Sequence, residues 1–232
     1  MSKYKESTMN TSSGGFSLRP WYFTPDKSRK LSWETYLQAK RFLDVMISIV
    51  TLPFILILLG VLFIIIKLDS SGPVFYSQSR TGKDGRRFKM YKLRTMVQNA
   101  EELKEKYIHL NELSYPDFKI KNDPRITQIG QFLRKTSLDE LPQVFNVLRG
   151  DMSLVGPRPT SFTADTYTLW HTARLKTMPG MTGLWQVSGR NELDFDDRLR
   201  LDIAYERNQT LWLDIRIILR TILCIFNSRG AN

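Results

Sequence analysis

The run Ser137-Leu138-Asp139-Glu140-Leu141-Pro142-Gln143 sets two carboxylates side by side in a chain that is rich in base. There are 34 Lys and Arg against 23 Asp and Glu, a formal net charge of +11. A carboxylate among cations stays ionised at neutral pH, which suits a nucleophile or a ligand for a hard cation. Neighbouring helical residues point about 100° apart, so the two carboxylates would divide roles. Asp139 would attack phosphorus and Glu140 would hold Mg²⁺. A plainer reading uses the same letters. Ser137-x-x-Glu140 matches a capping box, in which Glu140 only satisfies backbone at a helix start. Pro142 fits better as the first residue of a helix beginning one turn later. Spacing alone leaves catalysis and capping both open.

Cations cluster around this run: Lys92, Arg94, Arg125, Arg134, Lys135 and Arg158. A guanidinium fork grips phosphate with two parallel bonds, and several forks hold a diphosphate. Gly156-Pro157-Arg158-Pro159 frames one arginine with two prolines, which stiffens the backbone that presents it. A solvated or lipid-facing basic patch is the alternative. The excess of base calls for an anionic partner: nucleic acid, an acidic lipid surface or a phosphorylated substrate. No RNP-type strand or basic recognition helix is visible, which argues against nucleic acid. One cysteine, Cys224, and two histidines, His109 and His171, make a zinc site or an intrachain disulfide a poor reading. Neither a P-loop nor a dinucleotide glycine fingerprint occurs.

The elements that must position these groups begin with Val45 to Ile66, 22 residues without a charge. As a helix they would reach ~33 Å, enough for a bilayer's hydrocarbon core. Both flanks are basic, so neither reads as the translocated side. Pro53 removes the hydrogen bond to Ile49 and is expected to break the helix, with Ser48 and Thr51 close enough to satisfy freed backbone groups. A helix that enters and leaves by one face is favoured over a spanning helix with a tolerated proline. Ahead of it, residues 1–37 read as a flexible polar tail. Beyond it, Val74-Phe75-Tyr76 and Phe88 to Tyr91 flank Gly82-Lys83-Asp84-Gly85 as a β-hairpin. Met96 to Leu110 is spaced as an amphipathic helix. Shorter helices are expected over 127–135, 141–149 and 162–176, and Pro179 to Gly183 reads as a loop. Leu211 to Phe226 reads as an apolar helix carrying Arg216 and Arg220 on one face, either lying in a membrane interface or packed on the core.

These runs resemble one family, the bacterial sugar transferases of the monotopic phosphoglycosyl transferase superfamily. The likeness is carried by Lys40-Arg41-Phe42-Leu43-Asp44, by Tyr91 to Met96, by Asn122 to Thr127 and by Arg134 to Gln143. It continues through Asn146 to Pro159 and Pro179 to Arg190, and covers about residues 38 to 226. The resemblance implies a mainly helical α+β fold with a re-entrant membrane helix over 38–67 broken at Pro53, a small β-hairpin and interfacial amphipathic helices. Residues 68–232 would form a catalytic domain on the cytoplasmic face of the bacterial inner membrane. Asp139 and Glu140 would be the catalytic dyad, with Mg²⁺ on Glu140. Arg134, Arg158 and Arg94 would hold substrate phosphate. The loop with Pro179, Gly180, Thr182, Gly183 and Arg190 would seat the nucleotide. The implied reaction moves sugar-1-phosphate from a UDP-sugar to polyprenyl phosphate through a covalent Asp139 intermediate, releasing UMP. A hexose is favoured over an N-acetylated sugar, and a homo-oligomer is left open. Larger members carry further membrane helices and a domain ahead of this unit, so this chain reads as the minimal catalytic form. The competing function is a non-catalytic basic peripheral membrane protein that binds anionic lipid or a partner.

Overall fold

The computed structural model describes residues 21–22, 32–111, 120–163, 166, 170–189 and 193–226. The long apolar run forms α1, Trp33–Asp69, one 37-residue helix capped by the Ser32 hydroxyl on the Thr35 amide. It starts five residues ahead of the expected boundary at 38. Among the described residues it is the one helix long and apolar enough to cross a membrane. Its middle has few partners: Val50, Phe54 and Ile57 are 62%, 74% and 71% exposed. So apolar a surface needs lipid around it, and α1 attaches the protein to a membrane.

Helix α1 runs on through Pro53 without a residue leaving the helix. The Thr51 hydroxyl donates to the carbonyls of Ile47 and Ser48 one turn earlier, a back-bond that lets a helix bend without ending.

The hairpin forms as its turn chemistry requires. Strands β1, Phe75–Thr81, and β2, Arg87–Leu93, pair antiparallel, with Phe75 opposite Leu93 and Thr81 opposite Arg87. The helix expected over 96–110 shrinks to α2, Glu102–Lys106, and one 3-10 turn, Ile108–Leu110. Its first residues go elsewhere because backbone pairing competes: Val97 donates to Arg125, and Thr127 donates to Thr95. Helix α3, Gln128–Thr136, is capped by Thr127, and α4, Gln143–Arg149, follows Pro142. Strand β3, Ser153–Val155, lies parallel to β4, Gly180–Thr182, where a loop was expected. Only a 3-10 stretch, His171–Lys176, is described of the helix expected over 162–176. Helices α5, Phe195–Arg207, and α6, Leu211–Phe226, complete the body, and α5 has no counterpart in the sequence expectation.

Both halves of α1 dock on this body. Leu59, Leu62 and Ile66 pack with Val74, Leu93 and Leu133. In the other half, Arg41 donates to the carbonyls of Val147 and Leu148, and Asp44 accepts from the Ser153 hydroxyl at 2.7 Å and the Leu154 amide at 3.2 Å. Lys40 reaches Asp214 of α6 at 3.0 Å. The same carboxylate accepts from Tyr36 at 3.1 Å and from Tyr205 at 2.6 Å. Helix α6 packs on the core, with Arg216 and Arg220 against Trp21 and Trp212. Leu213 and Ile217 join Tyr22, Val155, Leu184 and Tyr205 in the core, while Trp212, Leu219 and Leu223 stay exposed. Tyr22 and Trp21 therefore lie on the body; the rest of the expected tail up to residue 31 is outside the described residues.

Asp214→Asn should destabilise the protein by about 3–5 kcal/mol, because it strands the Lys40 ammonium in a buried site. A lower melting temperature in detergent is the readout. Adding Lys40→Met, which removes the stranded charge, should recover part of that loss.

Candidate active site

Asp139 and Glu140 sit in a 3-10 turn, Leu138–Glu140, wedged between α3 and α4. The capping box does not form. Ser137 takes a left-handed φ of 58° as the residue that ends α3, and its side chain caps nothing in the turn. A residue in that conformation reverses the chain abruptly, so the next two side chains are set by the turn and by the helices around it. Asp139 is 7% exposed and Glu140 partly buried, and both line a cleft of about 720 Å³ between the hairpin, α3 and the segment after α4.

Charge in the cleft is arranged around the dyad. Lys92 of β2 places its Nζ 2.8 Å from Glu140 Oε1 and 3.6 Å from Asp139 Oδ2. Arg158 closes a fork on Glu140: Nη1 donates to Oε2 at 3.1 Å and Nη2 to Oε1. Burial would raise the Glu140 carboxyl, but Arg158 and Lys92 outweigh it and hold the group well below the usual range. Asp139 goes the other way. Burial raises it, Lys92 pulls it down, and the Glu140 charge pushes it up again. Two adjacent carboxyls are thus driven apart, one firmly ionised and one with a raised proton affinity, which is how a site divides roles between like groups.

Of the expected phosphate ligands, Arg134 and Arg158 both line the cleft. Arg134 is steadied by Nε donating to the Thr95 hydroxyl at 2.9 Å, and Asp139 is the foremost negative charge acting on it. Arg94 lines the cleft as well. Its guanidinium donates to the carbonyls of Ile66, Ser70 and Pro73 and to the Ser70 hydroxyl, so it ties off the end of α1.

The expected nucleotide loop packs against the segment that carries Arg158. A Cβ on Gly180 would lie 2.1 Å from the Gly156 nitrogen, and one on Gly156 would lie 2.2 Å from the Met178 carbonyl. These glycines let two backbones touch, which seats the Arg158 segment. Pro179 accepts from the Ser153 amide, Gly183 packs against the Gly156 carbonyl, and Thr182 bonds Thr221. None of the four lines the cleft; Trp185 and Gln186, a few residues on, do. Arg190 lies outside the described residues.

Mg²⁺ was expected on Glu140. Among the described residues no three His, Cys, Asp or Glu side chains converge as a cage. Mg²⁺ usually needs fewer, since it keeps waters and takes one or two carboxylates plus substrate phosphates. Asp139 and Glu140 supply that number, so the donor set fits a cation arriving with a phosphorylated substrate.

Residues 35–228 match the Bacterial sugar transferase family. The chain belongs to it. Over 197 residues it is 46% identical to the Undecaprenyl-phosphate galactose phosphotransferase of Salmonella typhimurium, covering 83% of this chain and 41% of that protein. The UDP-galactose-lipid carrier transferase of Erwinia amylovora is 43% identical over the same length and shares. The Exopolysaccharide production protein ExoY of Rhizobium meliloti is 40% identical over 200 residues, covering 83% of this chain and 88% of ExoY. The chain therefore spans about two fifths of the first two relatives and most of the third.

Two further features of this bacterial sugar transferase escaped the motif reading. Arg80 of β1 lines the cleft, where burial and then the Arg158 charge lower its guanidinium to about 10. Two cations forced together in a cleft create demand for an anion, and only their spacing in three dimensions shows it. Behind Arg158 lies a buried pair: Arg174 donates to the Arg158 carbonyl and sits 2.7 Å from Asp202 of α5. Burial pushes the Asp202 carboxyl up to about 7, with Arg174 pulling against it. This folded value lies above the ~3.9 of an unfolded aspartate, so the folded state binds the extra proton between those limits. Stability should accordingly fall as pH rises from about 4 to 7 and then level off. Melting temperatures followed across that window should show the slope, and Asp202→Asn should flatten it.

Proposed function

We propose that this protein transfers sugar-1-phosphate from a UDP-sugar to polyprenyl phosphate, with Asp139 as the nucleophile and UMP as the leaving group. The observation that carries the reading is the split dyad: a buried Asp139 beside a Glu140 pinned by Arg158 and Lys92. Asp139 Oδ forms a bond to the β-phosphorus of the donor, and the bridging bond to the α-phosphate breaks, expelling UMP. An oxygen of polyprenyl phosphate then attacks the same phosphorus, the aspartyl–phosphorus bond breaks, and the carboxylate is restored. No proton has to move in either half. Lys92 and Arg134 flank Asp139 and offset charge that builds on the equatorial oxygens, the larger part of catalysis in phosphoryl transfer. Arg158 keeps Glu140 ionised and aimed into the cleft. Glu140 with Asp139 would hold Mg²⁺, which supplies charge neutralisation at the diphosphate. The relatives' names, with undecaprenyl phosphate, UDP-galactose and galactose in them, support this donor and acceptor class and favour a hexose.

We place the catalytic body on the cytoplasmic side of the inner membrane, with α1 re-entrant. The docking of α1 residues on both sides of Pro53 to a single body supports this, and so do the two basic flanks. Single cysteines introduced at Ser13 and Ser79, in a Cys224→Ser background, should both resist a reagent confined to the outside of intact cells. Reaction at Ser13 alone means a spanning helix.

Labelled UDP-sugar without lipid acceptor should leave sugar phosphate on a peptide containing Asp139, with UMP released at about one per enzyme. Asp139→Asn should lose both adduct and turnover by at least about a hundredfold, because an amide is a poor nucleophile. A folded Asp139→Asn protein that still makes lipid-linked sugar sinks the mechanism.

A further inference from the structure

The cleft begins where the membrane helix ends. Apolar sequence in α1 runs to Ile66, and Lys67, Leu68 and Asp69 close the helix. Arg94 then clamps the carbonyls of Ile66, Ser70 and Pro73, so the start of β1 is fixed within a few residues of the lipid. Gly72, with φ of 111°, makes the turn; a Cβ there would meet Arg94 Nη1 at 2.8 Å.

Pro73 in this clamp and Phe75 and Tyr76 just past the buried Val74 all border the cleft. Phe75 and Tyr76 are 48% and 47% exposed, unlike the buried apolar residues that form the core of the body. Alternate strand residues share a face, so Tyr76, Gln78 and Arg80 follow one another along one side of β1, covering ~13 Å at 3.3 Å per residue, while Phe75, opposite Leu93 on the other side, borders the cleft from the strand's first position. That side changes from aromatic to amide to guanidinium. Lys92 is the cross-strand partner of Tyr76, and its ammonium is the one 3.6 Å from Asp139. An aromatic surface next to lipid therefore stands one cross-strand step from the nucleophile.

We propose that Phe75 and Tyr76 form the mouth through which polyprenyl phosphate reaches Asp139, its first isoprene units on the two rings and its phosphate towards Lys92 and Arg80. This rests on the transfer reaction proposed above. Of the two substrates only the acceptor is an amphiphile. A nucleotide-sugar has only its base to stack on a ring, whereas the acceptor's tail must stay out of water along its length while its phosphate leaves the bilayer plane. The gradient along β1 matches an anionic head on an apolar tail.

The test uses the full chain in lipid nanodiscs and compares Phe75→Ser/Tyr76→Ser with Phe75→Leu/Tyr76→Leu. The serine pair should raise KM for polyprenyl phosphate by about tenfold or more, the worth of burying one large apolar side chain. The leucine pair should stay within about threefold of the unaltered protein, since it keeps most of the apolar area. Adduct formation from UDP-sugar alone should be the same in all three, which also shows that the site has folded. An unchanged acceptor KM in the serine pair overturns the proposal. So does adduct formation slowed as much as overall turnover, which would make the rings part of the donor site. Protein lost from membranes with acceptor KM intact overturns it too, for the rings would then be interfacial anchors only. If the unaltered protein forms no adduct, the covalent mechanism falls, and the acceptor KM measured from overall turnover still decides the mouth.

Discussion

The Asp214 carboxylate is the junction on which the arrangement depends. It accepts from Lys40 and Tyr36 of α1 and from Tyr205 of α5 while belonging to α6, and Tyr205 also donates to the Val155 carbonyl of β3. Burial pushes this carboxyl up and Lys40 pulls it down, so the pair is held in place by mutual need. A helix made for lipid has little reason to adhere to a polar body, because its apolar surface is already satisfied in the bilayer. Directional bonds to Lys40, Arg41 and Asp44 attach this half of the helix, and they fix which face of α1 meets the body.

The second half of α1 is fixed by different means, and the site follows from it. Leu59, Leu62 and Ile66 pack with Leu133 of α3 and Leu93 of β2, and Leu138 and Leu141 join the same cluster from either side of the dyad. Packing of the membrane helix thus positions the 3-10 turn that carries Asp139 and Glu140. Lys92 stands one residue from Leu93 on β2, and Arg94 one residue beyond it on the clamp at the helix end. Three consecutive residues therefore serve the paired carboxylates, the core and the end of the membrane helix. Nearness of cleft and bilayer is a consequence of this short wiring.

Electrostatics in the cleft has a layered logic. Arg158 is not a free fork waiting for phosphate; in this arrangement it grips Glu140 and is itself steadied by Arg174 and Asp202. Any anion or cation entering the cleft competes for partners that are already charged and already oriented. Such rearrangement needs little reorganisation of the backbone, because the prolines on either side of Arg158 and the touching glycines 156 and 180 hold it rigid.

The hairpin was legible from its turn residues, α3 and α4 from caps and breakers, and the lipid-seeking helix from 22 uncharged residues in a row. These are local signals: each is written within one element and survives without knowledge of its neighbours. The adjacency of Asp139 and Glu140 and the excess of cations were likewise open to reading. The rest depended on competition between distant groups. The helix expected from Met96 lost its first turn to backbone pairing with residues 125–127, and the glycine-rich run after Pro179 became a strand because β3 lay within reach. Arg94 and Arg158 are the same residue type in similarly basic surroundings, yet one closes a helix and the other holds a carboxylate. By itself the sequence determined the membrane helix, the adjacent carboxylates and the sign of the charge around them, since these are properties of composition and spacing. Only the tertiary structure decided which cations face the dyad, because that assignment rests on distances between residues remote along the chain.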